Sequence, residues 1–450
     1  MYKYLDVLNK IEYMIENEEF KQGEKILSIR KFADLFTCNK WTIIRALEEL
    51  EKKHIIYSVP QSGYYVVPKK DILNQNEALI TDFSSSAPDP NVFPYIDFQH
   101  CINQAINTYK DELFIYGTPK GLPSLVSVIR KELAHYQVFA NNRNIFITSG
   151  VQQALSILAS LPFPNNKHTI LIEQPGYHLF IEQLETQKIS TVGIKRDYSG
   201  IDLEELEHIF KEMDIKFFYI MPRYHNPLGS SLSQKDKQEI LKLANKYDIY
   251  IVEDDFLSDY ETDSKADPIY SYDDQSRVIY LKSFSKIIFP GLRVGVAVVP
   301  DSLTELFSKY KIYSDVDTSM LSQAALELYI KSGMFEKHRK KMRHSYSQRA
   351  KKLHDSLKKY TTINNGTEMY QNHGNYCIHT CIEHGIKINI KNILKESGKN
   401  SILISDTASN YLQNFDDKKN YIKLNTSNVP FEYIENGIKD ILDIIGTSTT

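Results

Sequence analysis

The sequence predicts two folded units. The first is small and mainly helical, closed by a β-hairpin; the second is an α/β unit on a mostly parallel sheet, with a smaller α/β segment at the C-terminus. Three observations carry this. Amphipathic runs fill residues 3–53, and two β-prone runs follow within residues 55–67. From Asn144 onward, apolar strand-like runs alternate with helical ones, the order that builds a parallel sheet covered by helices. Polar clusters stand at the ends of those strands, where such sheets bind ligands.

In the N-terminal stretch, Leu5, Leu8, Ile11, Tyr13, Met14 and Ile15 recur at helical spacing and predict a helix over 3–18. Ser28 is placed to cap a short second helix, Ile29–Phe36. After the tight turn Thr37-Cys38-Asn39, residues 40–53 form a third helix with Ile43, Ala46, Leu47 and Leu50 on its apolar face. Ile55–Val59 and Tyr64–Val67 pair across Pro60-Gln61-Ser62-Gly63. Helices joined by a brief turn and followed by a hairpin describe a winged helix-turn-helix. In that geometry the start of the third helix enters the major groove of duplex DNA. Residues 1–67 carry ten basic and ten acidic side chains, so binding must come from one face rather than from domain charge.

Residues 68–86 are polar and lack periodicity, and are read as a linker that joins the second domain near Asp82-Phe83. Beyond it, Ile145–Thr148, Thr169–Ile172, Phe217–Met221, Ile249–Val252 and Val278–Leu281 are strands. Helices are expected at Val151–Leu158 and about 233–247. A helical stretch at Leu321–Ile330 precedes a long basic helix, Phe335–Tyr360, whose ordinary reading is a solvated face. Strands at 376–380, 401–404 and 421–424 and a helix at 431–445 complete a small α/β domain. The expected domains are 1–68, 87–313 and 314–450, with 69–86 as the linker.

The net charge of −3, from 54 basic and 57 acidic residues, excludes a generally basic nucleic-acid coat while leaving room for a small DNA-reading module. No apolar run reaches the ~20 residues of a membrane span. The N-terminus has acids throughout and no apolar core, unlike a signal peptide. Four cysteines in 450 residues imply no disulfide framework. The expectation is a cytoplasmic protein. Cys377, His379 and Cys381 share one face of a strand; adjacent ligands alone complete no tetrahedral metal site, so no metal is expected.

The chemistry centres on Tyr280–Pro300, YLKSFSKIIFPGLRVGVAVVP. An amine at Lys286, with Ser283 and Ser285 before it and Arg293 after, suits a cofactor bearing both an aldehyde and a phosphate. The amine condenses with the aldehyde while hydroxyls and the guanidinium hold the phosphate. Pyridoxal 5′-phosphate (PLP) is the cofactor so indicated. Ser149-Gly150-Val151 stands at a helix N-terminus, where amides take a phosphate. Tyr177 can lie against a pyridine ring, Asn226 can donate to the phenolic oxygen, and Asp254 can hold the ring nitrogen protonated.

The run ILSIRKFADLFTCNKWTIIRALEELEKKHIIYSVPQSGYYV resembles the DNA-binding domain of the GntR family. The resemblance places Arg30, Asn39, Lys40, Thr42 and Gly63 at its DNA-contacting positions. Leu27, Lys40 and Gln61 depart from its usual proline, arginine and first wing glycine. Further on, YGTPKG (116–121), ITSGVQQAL (147–155), EQPGY (173–177), HNPLG (225–229), EDDF (253–256) and SFSK…GLRVG (283–295) follow the order found in fold-type I PLP enzymes of the aminotransferase class. Together with the N-terminal domain they resemble the MocR-type regulators, a GntR branch in which an aminotransferase-like domain serves as effector sensor. This likeness implies a homodimer in which Tyr116 reaches the phosphate in the neighbouring subunit. It also implies that Ser283 and Arg293 bind the phosphate, Asp254 the ring nitrogen and Asn226 the ring hydroxyl.

Two departures bear on activity. Phe256 replaces the usual tyrosine, and Lys423 replaces an arginine that clamps a substrate carboxylate; lysine keeps the charge but loses the fork. The expectation is therefore a PLP-dependent DNA-binding regulator that senses an amine or amino-acid-like effector, or PLP itself, with weak or no transaminase activity. Lys423 is its candidate effector-binding residue. The competing expectation is an active aminotransferase with an accessory DNA-binding domain.

Overall fold

The computed structural model describes residues 3–17, 19–21, 23–52, 55–59, 62–67, 80–263, 265–361, 376–383 and 389–447. The chain folds as two compact units, Met1–Ala78 and Leu79–Thr450.

In the first unit, α1 (Lys3–Glu16), α2 (Ile29–Leu35) and α3 (Lys40–Lys52) precede β1 (Ile56–Val59) and β2 (Gly63–Val66). The α3 face is as expected, with Ile43, Ala46, Leu47 and Leu50 all buried. On α1 the buried set is Val7, Leu8 and Ile11, while Leu5 and Tyr13 are exposed. A true 3.6-residue period runs through 7, 8 and 11 and carries 5 and 13 to the flank. The Ser28 side chain caps α2 by accepting from the Lys31 amide. The Asn39 carboxamide oxygen accepts from both the amide and the hydroxyl of Thr42 at 2.8 Å, fixing the start of α3. β1 and β2 pair antiparallel, Val59 opposite Gly63, and Lys25 adds a bridge to Tyr65. Gly63 has φ +125°, a conformation that favours glycine. Pro60 and Gln61, at the expected wing tip, lie outside the described residues.

The second unit begins inside the stretch expected to be linker. β3 (Thr81–Asp82) pairs in parallel with Ile402–Leu403, and Phe83 is fully buried. The chain enters the second unit at the expected junction near Asp82-Phe83, where an aromatic ring with a core to enter anchors it; only the expected linker end at residue 86 is corrected, since residues 81–86 already belong to this unit. Residues 68–79, including Lys69 and Lys70, lie outside the described residues. Helices α4 (Tyr95–Tyr109) and α5 (Pro123–Ala134) follow.

The large sheet has eight strands. They are β4 (Ile145–Thr148), β5 (Thr169–Gln174), β6 (Thr191–Asp197), β7 (Gly200–Ile201), β8 (Ile215–Ile220), β9 (Tyr250–Asp254), β10 (Val278–Ser283) and β11 (Gly295–Val298). Their spatial order is β4-β11-β10-β9-β8-β5-β6-β7, with β11 and β7 antiparallel to their neighbours and the other pairings parallel. Strands β4, β5, β8, β9, β10 and β11 are buried nearly throughout, as a sheet covered on both faces requires. Between them run α6 (Val151–Ser160), α7 (His178–Thr186), α8 (Leu203–Glu212) and α9 (Gln234–Lys246). Strand β6 escaped the sequence reading, since TVGIKRD is polar and half-buried.

Helices α10 (Asp301–Asp315), α11 (Met320–Lys331) and the 28-residue α12 (Met334–Thr361) lead to the C-terminal part. There β12 (His379–Glu383), β13 (Ile402–Leu403), β14 (Ser405–Asp406) and β15 (Tyr421–Asn425) pack with α13 (Ile390–Lys399) and α14 (Ile434–Thr447). Their shared core holds Phe83, Leu353, Ile382, Ile422, Ile438 and Leu442. The α12 face is less solvated than its composition suggests. Arg339 is buried against Tyr136 and Glu132, and Arg349 is buried in an ion pair with Asp89.

Candidate functional site

The parallel strands end at one edge of the sheet, and the polar clusters collect there. At the end of β4, Gly150 takes φ +82°; a Cβ on it would stand 2.7 Å from Arg293 Nη2. Arg293 itself has φ +53°, and its Nη2 donates to the Ser149 carbonyl at 2.8 Å. Gly295, opposite Thr148 on β11, is equally constrained, since its Cβ would meet the Gly150 backbone at 2.8 Å. Three backbones are therefore drawn together around one guanidinium. Ser283 closes β10, and its hydroxyl accepts from the Ser285 amide at 3.2 Å. The Ser149 amide is engaged by Gln153, and the Gly150 amide by Thr148. Val151, first residue of α6, stands in the turn whose amides a helix leaves unpaired.

One strand over from β10, Asp254 ends β9 and is buried. The Tyr219 hydroxyl donates to its Oδ2 at 2.8 Å, while Oδ1 is buried with no hydrogen-bond partner. Burial pushes the Asp254 carboxyl from 3.8 up to about 7, against the lowering effect of Tyr219. Half-buried Tyr177 is linked to Gln152, and its hydroxyl feels both the Asp254 charge and the Arg293 guanidinium. Its pKa is pushed up to about 12, chiefly by burial.

Lys286 is half-buried, and its Nζ donates to the Ser86 carbonyl at 2.9 Å and the Ser86 hydroxyl at 2.7 Å. Burial of the amine, with the Lys423 charge nearby, holds its pKa down at about 8. Lys423, on β15 opposite Cys381 and Ser405, is also lowered by burial. His178 and His379 feel the charges of Lys286 and Lys423, and burial foremost holds both histidines down, His379 to about 4. Asn226 lies half-buried in the turn after β8, a turn that packs against β12 through Gly229. Phe256 is half-buried, its ring 6.2 Å from that of His379.

The structure therefore gathers Lys286, Asp254, Tyr177, Asn226, Ser149, Gly150, Val151, Ser283, Arg293 and Lys423 at the strand ends and their facing loops. Tyr116 is 86% exposed within one chain. In the first unit Arg30, Asn39 and Lys40 are exposed, and Thr42 and Gly63 half-buried. Among the described residues, no cluster of three or more His, Cys, Asp or Glu is placed to hold a metal ion, and no helix is long and apolar enough to cross a membrane.

Sequence reasoning missed three residues here. Tyr219, inside the apolar run of β8, gave no sign that it faces a carboxylate. Ser86 sat in the expected linker. Lys282, just past the expected strand Val278–Leu281, is fully buried, donates to Asp259 at 2.5 Å and to Ser258 at 2.9 Å, and stands 4.2 Å from the Tyr136 ring centre. Its place in a strand buried at all six positions was the available signal.

Residues 87–398 match the family described as aminotransferase class I and II. The chain belongs to that family. It is also 52% identical over 439 residues to the HTH-type transcriptional regulator YcxD of Bacillus subtilis, covering 98% of this chain and 99% of that one. Among solved structures it is similar to the Pyrococcus horikoshii kynurenine aminotransferase, at 26% identity and TM-score 0.75 over 83% of this chain and 92% of that one. A multiple substrate aminotransferase from Thermococcus profundus is similar at 25% identity and TM-score 0.74, over 83% and 93%. The chain thus fuses a helix-turn-helix regulatory domain to an aminotransferase-like domain of fold type I, the MocR-type architecture of the GntR family.

Proposed function

We propose that this protein is a transcriptional regulator that reads duplex DNA through its first unit and senses an amine or amino-acid-like effector at PLP held by Lys286. The observation that carries the proposal is the buried, unpartnered Oδ1 of Asp254 at the sheet edge that also holds the Gly150–Arg293 cradle and the Lys286 amine. A carboxylate left in this state lacks a cationic donor, and a protonated pyridine nitrogen fits that lack. Bound there, PLP supplies a carbonyl for covalent attachment of an amine and a ring that withdraws electrons.

The other residues follow from their chemistry. Arg293 and Ser283 hold the phosphate by charge and hydroxyl, with the first turn of α6 at Val151 adding amide donation, while Ser149 and Gly150 shape the backbone of the cradle. Tyr177 covers one ring face, and Asn226 donates to the ring oxygen. Lys286, held near pKa 8, presents a useful fraction of neutral amine at physiological pH. Lys423 gives an anionic effector group a point charge without a bidentate fork. That loss, with Phe256 in place of a hydroxyl donor, favours sensing over efficient transamination. Arg30, Asn39, Lys40, Thr42 and Gly63 form the DNA-facing set.

A homodimer is part of the proposal. Phe114, Ile115 and Tyr116 are 90%, 66% and 86% exposed in succession, an apolar strip that a second copy would cover while bringing Tyr116 to its phosphate. The deciding experiment is visible absorbance of the protein with PLP before and after candidate amines, run with and without bound DNA. No absorbance band and no borohydride-fixed mass on Lys286 would overturn the cofactor reading.

A further inference from the structure

The first described residues of the second unit pass the site itself. Thr81–Asp82 is stitched to β13, Phe83 is sunk in the C-terminal core, and the Asn425 amide donates to the Phe83 carbonyl at 2.8 Å. Asp82 then accepts from the amides of Ser84 and Ser85 at 2.8 and 3.1 Å, turning the chain. After Ser86, the Ser427 hydroxyl donates to the Ala87 carbonyl at 2.8 Å, and the buried Asp89 pairs with buried Arg349. Both ends of this arc are thus fastened to the C-terminal part of the unit. Its exposed middle residue, Ser86, supplies two acceptors to the Lys286 amine on the large sheet.

We propose that Ser86 is the resting partner of the Lys286 amine, and that residues 84–89 respond to whether that amine is engaged by a carbonyl ligand. An ammonium has three N–H donors, and Ser86 takes two of them. Condensation of the neutral amine with an aldehyde forms the C=N bond and releases one water, made from the carbonyl oxygen and both amine hydrogens. The nitrogen that remains carries one hydrogen when protonated and none when neutral, so the pair of bonds to Ser86 cannot persist. Because the arc is fixed at both ends, the loss falls on the backbone between them. Ser86 is a positioning residue: it sets where the amine waits and how readily it leaves. In the sequence the arc follows the DNA-binding unit, so this inference deepens the sensing reading and rests on it.

The test uses full-length protein and PLP. Backbone hydrogen exchange is read over residues 80–90, and the rate of PLP uptake is followed by absorbance. In wild-type protein, PLP should speed exchange within 84–89. Ser86→Ala, which removes one acceptor on an exposed residue, should raise that exchange before PLP is added and speed uptake about tenfold, a fold-change set by one charge-assisted hydrogen bond. Ser86→Thr should restore the wild-type values. Ser85→Ala, whose hydroxyl accepts only from the Ala87 amide at 3.2 Å, should leave uptake unchanged. Uptake by Ser86→Ala at the wild-type rate, or exchange at 84–89 indifferent to bound PLP, overturns the inference while leaving the cofactor reading intact. Absence of PLP absorbance in every variant overturns both.

Discussion

The Tyr219 hydroxyl and the Asp254 carboxylate meet at 2.8 Å in a fully buried setting, and the bond satisfies only one of the two carboxylate oxygens. Tyr219 thereby draws the Asp254 pKa down from where burial alone would hold it. Replacing it with Phe removes the one donor that the carboxylate has among the described residues and should weaken PLP binding about tenfold. Asp254→Asn should weaken it further, since an amide cannot supply the charge opposite the ring nitrogen. Absorbance titration with PLP checks both; a Tyr219→Phe protein with wild-type affinity would detach this pair from the cofactor.

The same burial has a pH consequence. The Asp254 pKa is raised from 3.8 to about 7 in the folded state, so its contribution to stability is fully present below about 4 and lost as pH rises through 7. Asp254→Asn removes this loss. Its stability relative to the cofactor-free wild type should therefore climb between pH 4 and pH 7 and level off above. Urea midpoints taken across that range measure the difference, in which titrations common to both proteins cancel. A difference that falls with pH would mean Asp254 is not buried as an ionised group.

Most of this site was legible because glycines, prolines and charged residues interrupt apolar strands at the sheet's carboxyl edge. Gly150, Asp254, Lys286 and Arg293 stand out against such runs, and their order along the chain fixes which strand end each occupies. Legibility failed where one residue type serves two environments. Lys282 and Lys286 lie four residues apart in the same serine-bearing window, yet one is locked to Asp259 inside the fold and the other reaches Ser86. The flanking serines and Arg293 single out Lys286, but nothing in spacing shows that Lys282 is locked inside, because that lies in what Tyr136, just past α5, and the turn at Ser258–Tyr260 bring alongside. Ser86 was hidden for a related reason: a short irregular stretch has no period to reveal which residue turns inward.

Those two lysines should separate cleanly on substitution. Lys282→Ala leaves Asp259 buried without its cation and should destabilise the protein by about 3–5 kcal/mol. Lys286→Ala relieves the amine of its burial and of the Lys423 charge, and should leave the melting temperature near that of wild type while abolishing borohydride-fixed PLP. Thermal melts and peptide mass mapping distinguish the outcomes. Fixed cofactor on Lys282 would reverse the assignment.

Trp41 is the single tryptophan of the chain and is 78% exposed at the start of α3, beside Lys40. It packs no core, so its emission should be that of a solvated indole, readily quenched by iodide. Binding of a duplex selected by the protein from a random pool should blue-shift that emission and protect it from iodide, as expected if the first turn of α3 enters the major groove. Trp41→Ala should lower affinity about tenfold, the worth of one buried aromatic contact. Emission indifferent to bound DNA would move the reading element off α3.

Lys423 tests what the pocket asks of its effector. Opposite Cys381 and Ser405 on the small sheet, it brings a half-buried ammonium near Lys286, His178 and His379. A point charge attracts any anion but does not select the planar geometry of a carboxylate, which a guanidinium matches with two parallel bonds. In PLP-loaded protein, Lys423→Arg should tighten the binding of α-amino acids about tenfold and leave that of simple amines unchanged. Spectral titration with an amino acid and its decarboxylated amine gives the comparison within one experiment. Equal affinities for the pair in both proteins would mean that the effector's anionic group, if it has one, is held elsewhere. Stronger amino-acid binding accompanied by transamination would show that this single position restrains the aminotransferase fold from turning over.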